Sequence, residues 1–417
     1  MKKLLPIILS AALLLSACTV PNHTPNEPIG PSLPVQGTEE IPDIPAQPDE
    51  PLPPPVEELP PPPPPDPREE TVNAILSSMT LEEKVGQLFF ARCPAANQAE
   101  LIAQYHLGGY LLFTRDFKNE AGDWLTEEEF LSKIASYQQS STIPLLIGVD
   151  EEGGTVARAS RNPNLFPAKR RSPGSLYRSG GMEAVLSDTL AVNSRLLTLG
   201  INVNFAPVAD VSQDKNDFIY DRTLGADAIT TAAYIAAVVQ QMNACEVNGE
   251  VRPIGSVLKH FPGYGNNKDT HTGIAIDERS YETFVSVDFL PFVAGIESGA
   301  GAVLVSHNIV KSMDADLPAS LSASVISVLR NELGFEGVVL TDDLAMDAVK
   351  QYADNGEAAV LALKAGNSMI VTTDFETQIN EVITAVERGE LTEELINSAV
   401  RYVLYWKYDL GLLGETT

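Results

Sequence analysis

The chain has 417 residues, of which 44% are hydrophobic and 20% are charged, and it contains three cysteines. Its formal net charge of −28 argues against a nucleic-acid partner, because neutralising phosphates requires clustered Lys and Arg. From Arg68 onward about 350 residues remain, which is too long for a small disulfide scaffold and within the range of an α/β barrel.

The N-terminus has the features of a secretion signal. Lys2 and Lys3 precede an apolar run over residues 4–15, which is shorter than the ~20 residues that a membrane-spanning helix needs. The following Leu15-Ser16-Ala17-Cys18 resembles a bacterial lipobox, after which lipoproteins are cleaved and diacylated on the cysteine. We expect residues 1–17 to be a lipoprotein signal peptide and Cys18 to anchor the protein to the cell membrane on its extracytoplasmic side. The alternative is an ordinary signal peptide that ends near a cysteine.

Residues 18–67 are predicted to be a disordered linker. Thr19 to Pro67 holds 19 of the 30 prolines and nine acidic residues, with no Lys or Arg. Such a segment cannot bury enough apolar surface to offset its chain entropy, so an extended spacer is expected. The alternative is a ligand for a proline-binding module. Residues 68–417 then form the folded domain.

The domain is predicted to be α/β. Thr80 followed by Glu83 indicates a capping box that opens a helix. Short apolar runs then alternate with amphipathic stretches, which is typical of a parallel sheet covered by helices. The predicted strands are 109–113, 144–149, 202–205, 256–258, 302–305, 337–340 and 369–371, and the predicted helices are 126–138, 182–199, 226–243, 321–332 and 356–365. Seven or eight such units favour a single (β/α)8 TIM-type barrel.

Polar residues follow almost every predicted strand. They are Asp150-Glu151, Asp210, Lys259-His260, Ser306-His307-Asn308 and Thr341-Asp342-Asp343. The C-terminal ends of the strands of a (β/α)8 barrel lie on one face, so polar residues at these ends indicate a site on that face. Of the five histidines, His260, His271 and His307 lie on or just beyond such ends.

Asp342 and Asp343 directly follow an apolar strand, where a carboxylate can be a nucleophile, a metal ligand or a helix cap. One of them can face the barrel axis while the other caps the next helix. No metal-ligand spacing surrounds Asp342 and Asp343, and none surrounds Cys93 and Cys245, so no metal is expected. The two cysteines can pair or stay free. No cofactor is expected either.

The segment from Lys259 to His271 combines donors with a turn-rich stretch. Lys259 and His260 can donate to sugar hydroxyls, and the Pro-Gly-Tyr-Gly-Asn-Asn turn residues predict a mobile loop. Asp269 and His271, with one residue between them, can form a carboxylate–imidazole dyad that acts as a general acid and base.

Lys-His-Phe-Pro-Gly-Tyr-Gly followed by Asp-Thr-His resembles the family 3 β-N-acetylglucosaminidases of the cell-wall-recycling type. Further similarity covers nearly all of residues 79–413, with matches at 78–88, 150–158, 204–210, 221–225 and 407–413. The resemblance implies that Asp342 is the nucleophile and His271, paired with Asp269, the acid/base. It implies substrate contacts from Asp150, Arg158, Arg222, Lys259 and His260.

Two departures from the family pattern concern the site and its support. The commoner family loop reads Pro-Gly-His-Gly-Asp, whereas this chain has Tyr264 and Asn266 and a loop one residue shorter. Ser368 stands where an Asp is common, and we expect that position to affect support for the site more than the chemistry.

The resemblance implies an exo-acting retaining hydrolase that releases terminal non-reducing N-acetyl-β-D-glucosamine from peptidoglycan fragments or related oligosaccharides, as a monomer. The alternatives are another family 3 β-glycosidase, a phosphorylase and a non-catalytic sugar-binding lipoprotein. A β-glucosidase would take its acid/base from a glutamate in a second domain, for which this chain has no room. The sequence leaves open the aglycone and whether the cell has one membrane or two.

Overall fold

The computed structural model describes residues 66–268, 273–353 and 356–413, and eight parallel strands form one sheet within them. The strands are β1 (Phe89–Arg92), β2 (Gly109–Leu112), β3 (Leu146–Val149), β4 (Val203–Asn204), β5 (Gly255–Phe261), β6 (Ala302–Val305), β7 (Val338–Thr341) and β8 (Ile370–Thr372). Each strand pairs with the next one up to β7, and β8 pairs with β1. A bridge between Leu340 and Met369 joins β7 to β8. The sheet is therefore a nearly closed barrel with its weakest seam between β7 and β8, which confirms the predicted α/β barrel.

Helices alternate with these strands and pack around the barrel. They are Pro67–Ser78, Leu81–Gln87, Gln98–Tyr105, Glu127–Gln139, Pro173–Thr198, Ala228–Asn243, Tyr281–Thr283, Phe289–Glu297, Ala323–Ser327, Glu357–Ala365, Phe375–Glu387 and Glu393–Asp409, with π-helical segments at Phe284–Asp288 and Val328–Glu332. The predicted capping box is confirmed, because Thr80 and Glu83 each accept the other's backbone N–H. In the described ranges, no helix has both the length and the apolar character needed to cross a membrane.

The strand that the sequence analysis missed is β1. Only Leu88 separates Phe89–Arg92 from the helix Leu81–Gln87, and the strand has just four residues, so the two elements were read as one segment. The other seven strands overlap the predicted ones, with ends that differ by at most three residues. Missing β1 matters because this strand joins β2 to β8 and so closes the barrel.

Two aromatic rings fill the barrel interior. Phe90 and Phe205 are buried and meet edge to face, with ring centroids 5.1 Å apart. A Cβ at Gly148 on β3 would lie 2.6 Å from the Phe90 ring and 2.8 Å from the Phe205 ring. Glycine is therefore required at this position, because any side chain would displace the rings.

The two ends of the domain meet beneath the barrel. Lys407 in the last helix is fully buried, and its Nζ donates to Oε1 of Gln87 at 2.6 Å. Gln87 in turn donates to the carbonyl of His106 at 2.8 Å. Burial lowers the pKa of Lys407 from 10.5 to about 7. Segments 78–88 and 407–413, which both carried the family resemblance, are therefore in contact, although Gln87 and Lys407 are 320 residues apart in the chain.

Lys407 should make folding stability depend on pH. Between about pH 7 and 10.5 the unfolded chain holds the lysine proton and the folded chain does not, so this group makes stability rise with pH across that window. Lys407→Met should remove the rise and increase the free energy of unfolding near pH 6 by about 1–3 kcal/mol. Urea unfolding near pH 6 and pH 9 measures both effects, with the half-exposed Lys364→Met as control. An equal change at both pH values would contradict the prediction.

Ser368 lies before β8, at the end of the barrel opposite the strand ends that carry the polar residues. Its hydroxyl accepts a hydrogen bond from Arg330 at 3.0 Å, and Arg330 also donates to the carbonyls of Phe335 and Gly337. Burial lowers the pKa of Arg330. An Asp at position 368 would face this guanidinium, so the departure from the family pattern concerns support of the fold.

The cysteines of the described domain are structural. Cys93 and Cys245 are both free and fully buried, and burial raises the pKa of the Cys93 thiol to about 12. Neither is therefore a reactive thiolate near neutral pH.

Candidate active site

A cavity of about 220 Å³ opens where the strands end. All six of the described residues predicted for the site line it, namely Asp150, Arg158, Arg222, Lys259, His260 and Asp342. Its other lining residues are Arg92, Leu111, Phe113, Val156, Phe205, Leu304, Asp343, Met346 and Val371. Asp269, His271 and Cys18 lie outside the described residues. The predicted convergence of strand ends is confirmed, while the role of each residue stays a prediction.

Lys259 is the centre of a buried charge cluster. Its Nζ lies 2.6 Å from Oδ1 of Asp150 and 2.6 Å from Oε1 of Glu152. Glu152 also takes two hydrogen bonds from Arg222, at 2.7 and 2.9 Å. Negative and positive side chains thus alternate through the cluster, in the order Asp150, Lys259, Glu152 and Arg222. Each buried charge has a partner of opposite sign, without which its burial would be too costly.

The cluster fixes the ionisation of its members. Burial alone would raise the pKa of Glu152, but the charges of Arg222 and Lys259 hold it well below its usual range. Burial alone would lower the pKa of Lys259, but Asp150 and Glu152 raise it instead. Lys259 and Glu152 are therefore charged at neutral pH, and the Nζ of Lys259 keeps one of its three donors for a ligand.

His260 is held in one tautomer by its two neighbours. Its Nδ1 lies 2.7 Å from Oδ2 of Asp210, and its Nε2 lies 3.0 Å from a terminal nitrogen of Arg222. A carboxylate only accepts and a guanidinium only donates, so Nδ1 carries the proton and Nε2 accepts. Both ring nitrogens are thus engaged within the protein, and His260 differs from the expected free donor to a sugar hydroxyl.

Asp342 and Asp343 divide their roles, as predicted, but the second one caps no helix. Asp342 follows β7, lines the cavity and accepts the backbone N–H of Asp343 at 2.8 Å. Asp343 accepts from the backbone N–H of Ala345 at 3.0 Å and from the Thr373 hydroxyl at 2.7 Å. The next α-helix, Glu357–Ala365, begins fourteen residues after Asp343, so Asp343 does not cap it. Its bond to Thr373 instead connects the segment after β7 to the segment after β8.

His307 lies beneath this acid pair. It is fully buried, its Nε2 lies 3.1 Å from the carbonyl oxygen of Asp343, and its Nδ1 lies 2.7 Å from the Ser320 hydroxyl. A carbonyl only accepts, so the Nε2–H of His307 holds the backbone next to Asp342. Unlike His260, His307 supports the site from below.

Comparisons with known proteins agree with this geometry. A model of the glycosyl hydrolase family 3 N-terminal domain matches residues 80–405. A β-hexosaminidase of Xylella fastidiosa (strain M23) is 33% identical over 327 residues, which cover 77% of this chain and 91% of that protein.

The chain belongs to glycoside hydrolase family 3.

Solved structures of family 3 share the fold. A β-N-acetylglucosaminidase from Paenibacillus sp. str. FPU-7 has a TM-score of 0.73 and 29% identity, with 82% of this chain and 64% of that chain covered. A β-N-acetylhexosaminidase from Beutenbergia cavernae has a TM-score of 0.68 and 25% identity, covering 79% and 99%. The chain therefore spans slightly less than two thirds of the Paenibacillus protein and nearly all of the other. The predicted family and enzyme class are confirmed.

The turn-rich segment after β5 is packed tightly in this family 3 domain. Residues 262–265 are buried, and the backbone N–H of Tyr264 donates to Oδ1 of Asp210 at 2.7 Å. Cβ atoms at Gly263 and Gly265 would lie 2.2 Å from Asp288 and 2.4 Å from Arg279. The predicted mobility is therefore wrong for these residues, which are anchored by contacts that the sequence pattern does not reveal.

The residues on the two sides of segment 269–272, which contains Asp269 and His271, are joined by a hydrogen bond. Asn267 precedes the undescribed segment 269–272, and its Nδ2 donates to Oδ2 of Asp277 beyond it, at 2.7 Å. Arg279 binds both oxygens of Asp277, Oδ2 of Asp288 at 2.8 Å and the carbonyl of Gly263 at 3.1 Å. This loop clamp, formed by Asn267, Asp277, Arg279 and Asp288, fixes the described residues on both sides of segment 269–272.

Sequence reasoning missed several residues of the site. Glu152 and Arg92 each stand at a strand end, so the rule that identified Asp150 could have found them. Glu151 accepts the backbone N–H groups of Arg158 and Ala159 at 2.9 and 2.8 Å and so fixes the loop that carries Arg158. The role of Glu151 depends on hydrogen bonds to residues seven and eight positions later, and a pattern of apolar strands does not predict such bonds.

Proposed function

We propose that this protein is an exo-acting, retaining β-N-acetylglucosaminidase that releases terminal non-reducing N-acetyl-β-D-glucosamine. The observation that carries the proposal is one carboxylate, Asp342, in the same cavity as the Lys259 cluster. The cluster offers acceptors and donors for sugar hydroxyls in Asp150, Lys259 and Arg222, and Asp342 provides the nucleophile. The names of the β-hexosaminidase relatives support the N-acetylated substrate.

The reaction would proceed in two displacements. The carboxylate of Asp342 attacks the anomeric carbon while His271, oriented by Asp269, gives its proton to the leaving oxygen, and a glycosyl ester forms. His271 then takes a proton from water, whose oxygen attacks the anomeric carbon and releases Asp342. Two inversions retain the β configuration. A histidine replaces the second carboxylate of the usual scheme, and the chemistry needs no cofactor.

Initial rates on p-nitrophenyl N-acetyl-β-D-glucosaminide and on the matching β-glucoside test this function. The chain without its first eighteen residues should release nitrophenol from the N-acetylated substrate, with a retained β anomer as first product by NMR. Preference for the glucoside would favour another family 3 glycosidase, and release of a sugar 1-phosphate in phosphate buffer would favour a phosphorylase. No turnover and retained sugar binding would indicate a non-catalytic module.

The site of action is proposed to be the outer side of the cell membrane. A lipidated Cys18 and the proline-rich segment to Pro67 would hold the catalytic domain away from the bilayer, within reach of peptidoglycan fragments. Cys18→Ala should move a protein expressed with its signal from the membrane fraction to the soluble fraction. A membrane fraction unchanged by this substitution would contradict the anchor. The enzyme is expected to act as a monomer.

The loop clamp gives a further prediction about the proposed acid/base. Asn267→Ala removes the bond from one loop stem to Asp277, so kcat should fall about tenfold while the free energy of unfolding changes by about 1 kcal/mol. The loss should be larger for poor leaving groups, which need the proton from His271.

The adjacent Asn266→Ala is the matched control, because Asn266 is exposed. Steady-state rates on aryl N-acetylglucosaminides of graded leaving-group pKa provide the measurement. If both variants lose the same activity, or if the loss is independent of the leaving group, the clamp does not position the acid/base.

A further inference from the structure

One stretch of this acidic chain carries only positive charge. The chain has 56 acidic and 28 basic residues, yet residues 153–182 contain no Asp or Glu and six of the 28 Lys and Arg. The stretch runs from the end of β3 into the helix Pro173–Thr198, and two of its residues, Val156 and Arg158, line the cavity. It therefore lies at the rim of the face where the barrel strands end.

Four of these six cations are exposed and have no acidic partner. Arg158 belongs to the cavity, and the largely buried Arg170 pairs with Asp188 at 2.7 Å. In the part of the chain that the structure describes, the other four form no ion pair, and they are Arg161, Lys169, Arg171 and Arg178. Together these four side chains are called the basic rim. Like charges on one surface repel each other, and a bound anion with several charges would relieve that repulsion.

Two separate parts of the basic rim share one surface. The backbone N–H of Gly154, in the turn after β3, donates to the carbonyl of Arg170 at 3.0 Å. Residues 169–171 therefore lie beside that turn. Arg161 covers the same turn, because its Nε donates to the carbonyl of Ala157 at 2.7 Å.

The rest of the basic rim lies on the first two turns of the helix Pro173–Thr198. Arg171 precedes this helix, and one of its terminal nitrogens donates to the hydroxyls of Ser175 and Ser179 at 2.9 and 3.0 Å. Arg178 lies between these two serines in the chain and is exposed. The bonds of Arg171 use a single nitrogen, so its guanidinium keeps further N–H donors for a ligand.

The negative charge of the whole molecule does not prevent an anion from binding at the basic rim. At about 0.1 M salt a charge acts over about 10 Å, so an approaching anion responds to the rim more than to distant acids. Guanidinium groups bind phosphate oxygens in a bidentate geometry. Binding to a chain of phosphates also releases its counterions, which favours a polyanion over a single ion.

We propose that the basic rim is a docking surface for a linear polymer of sugar or polyol phosphates. A thin polymer can lie along the rim and leave the cavity open, whereas a flat membrane docked there would face the mouth of the cavity. A nucleic acid fits less well, because Phe166 is buried and Tyr177 is half-buried, so residues 153–182 expose no ring on which a base could stack. The proposal goes beyond the proposed function, since it concerns where the enzyme is held and not what it cleaves.

The test measures binding of a short, fluorescently labelled poly(glycerol phosphate) to the full chain by anisotropy. With four phosphate contacts, the logarithm of the association constant should fall with the logarithm of the salt concentration with a slope of about −3. Uncharged polyglycerol should not bind. A variant with four substitutions should lose about tenfold or more in affinity at about 0.1 M salt and show a flatter slope. The substitutions are Arg161→Gln, Lys169→Gln, Arg171→Gln and Arg178→Gln.

Two further variants separate the basic rim from net charge and from folding. The matched control removes four exposed cations that do have acidic partners, and its affinity should stay within about twofold of the wild type. Its substitutions are Lys311→Gln, Lys350→Gln, Lys364→Gln and Arg388→Gln. The second variant combines Lys169→Gln with Arg178→Gln, two side chains that make no hydrogen bond within the described residues. It should lose about threefold or more in affinity while its thermal unfolding stays unchanged.

Three results would overturn the proposal. The first is equal loss of affinity in the rim variant and the matched control, which would mean that net charge decides. The second is no binding of the polymer at about 0.1 M salt. The third is rim-dependent binding to vesicles of equal parts phosphatidylglycerol and phosphatidylcholine without binding to the polymer, which would assign the rim to a lipid surface. Turnover of the nitrophenyl substrate is recorded separately, so failure of the proposed hydrolysis would leave the binding result intact.

Discussion

Asp342→Asn is expected to lower kcat/KM for an N-acetylglucosaminide by about 10⁴-fold, with little change in thermal stability. The amide cannot form the glycosyl ester, but its oxygen can still accept the backbone N–H of Asp343 that Oδ1 of Asp342 accepts at 2.8 Å. Steady-state rates and thermal unfolding of the variant measure the two effects. Mass spectra of enzyme quenched during turnover should show a sugar adduct in the wild type and none in the variant.

The neighbouring acid supplies the control for Asp342. Asp343→Asn also removes one carboxylate from the cavity, but it keeps an oxygen for the backbone N–H groups of Ala345 and Thr373. We expect less than about tenfold loss of kcat/KM and a small drop in stability from the weakened bond to the Thr373 hydroxyl. Comparable losses in the two variants would show that Asp342 is not the nucleophile.

Glu152→Gln should both destabilise the domain and remove most of its activity. The side chain of Glu152 is only 1% exposed and holds two cations, Lys259 and Arg222. The neutral amide cannot balance these charges, so within the cluster Asp150 remains as the one carboxylate beside two buried cations. Removing one partner of a buried ion pair costs about 3–5 kcal/mol. The side chains that face the substrate would also shift, so kcat/KM should fall by about a hundredfold or more. Denaturant unfolding and steady-state rates measure the two losses.

Glu127→Gln is the matched control for Glu152. Glu127 also takes two hydrogen bonds from one arginine, Arg195, at 2.7 and 2.9 Å, but its side chain is 46% exposed. Solvent screens an exposed pair and its side chains lose entropy when they are held together, so this substitution should change little. Equal destabilisation by both substitutions would mean that the burial of Glu152 is not what makes its charge important.

The fold could be predicted from local patterns because a parallel barrel repeats one unit. Continuous apolar strands such as Ala302–Val305 match the predicted bounds, and polar residues after the strands marked the face that carries the cavity. The same rule would have found Arg92 if β1 had been recognised. This strand has only four residues and follows the preceding helix after one residue, Leu88, so the local pattern does not separate the two elements.

Contacts between distant parts of the chain could not be predicted. The histidines looked alike in sequence, yet His260 lines the cavity while His307 lies beneath it. Glycine-rich turns looked mobile, yet Gly263 and Gly265 are glycines because Asp288 and Arg279 press against them. In each case the deciding partner is far enough along the chain that only the folded structure brings it near.

The meeting of Gln87 and Lys407 bears on how the protein is made. β1 needs β8 as a neighbour, and the helix Glu393–Asp409 buries Lys407 against the helix Leu81–Gln87, so the chain must be synthesised at least as far as that helix before the barrel can close. Until then the nascent chain exposes apolar strands and an unpaired sheet edge. The secretion proposed above would require an unfolded chain, and closure that waits for the helix Glu393–Asp409 is compatible with that requirement.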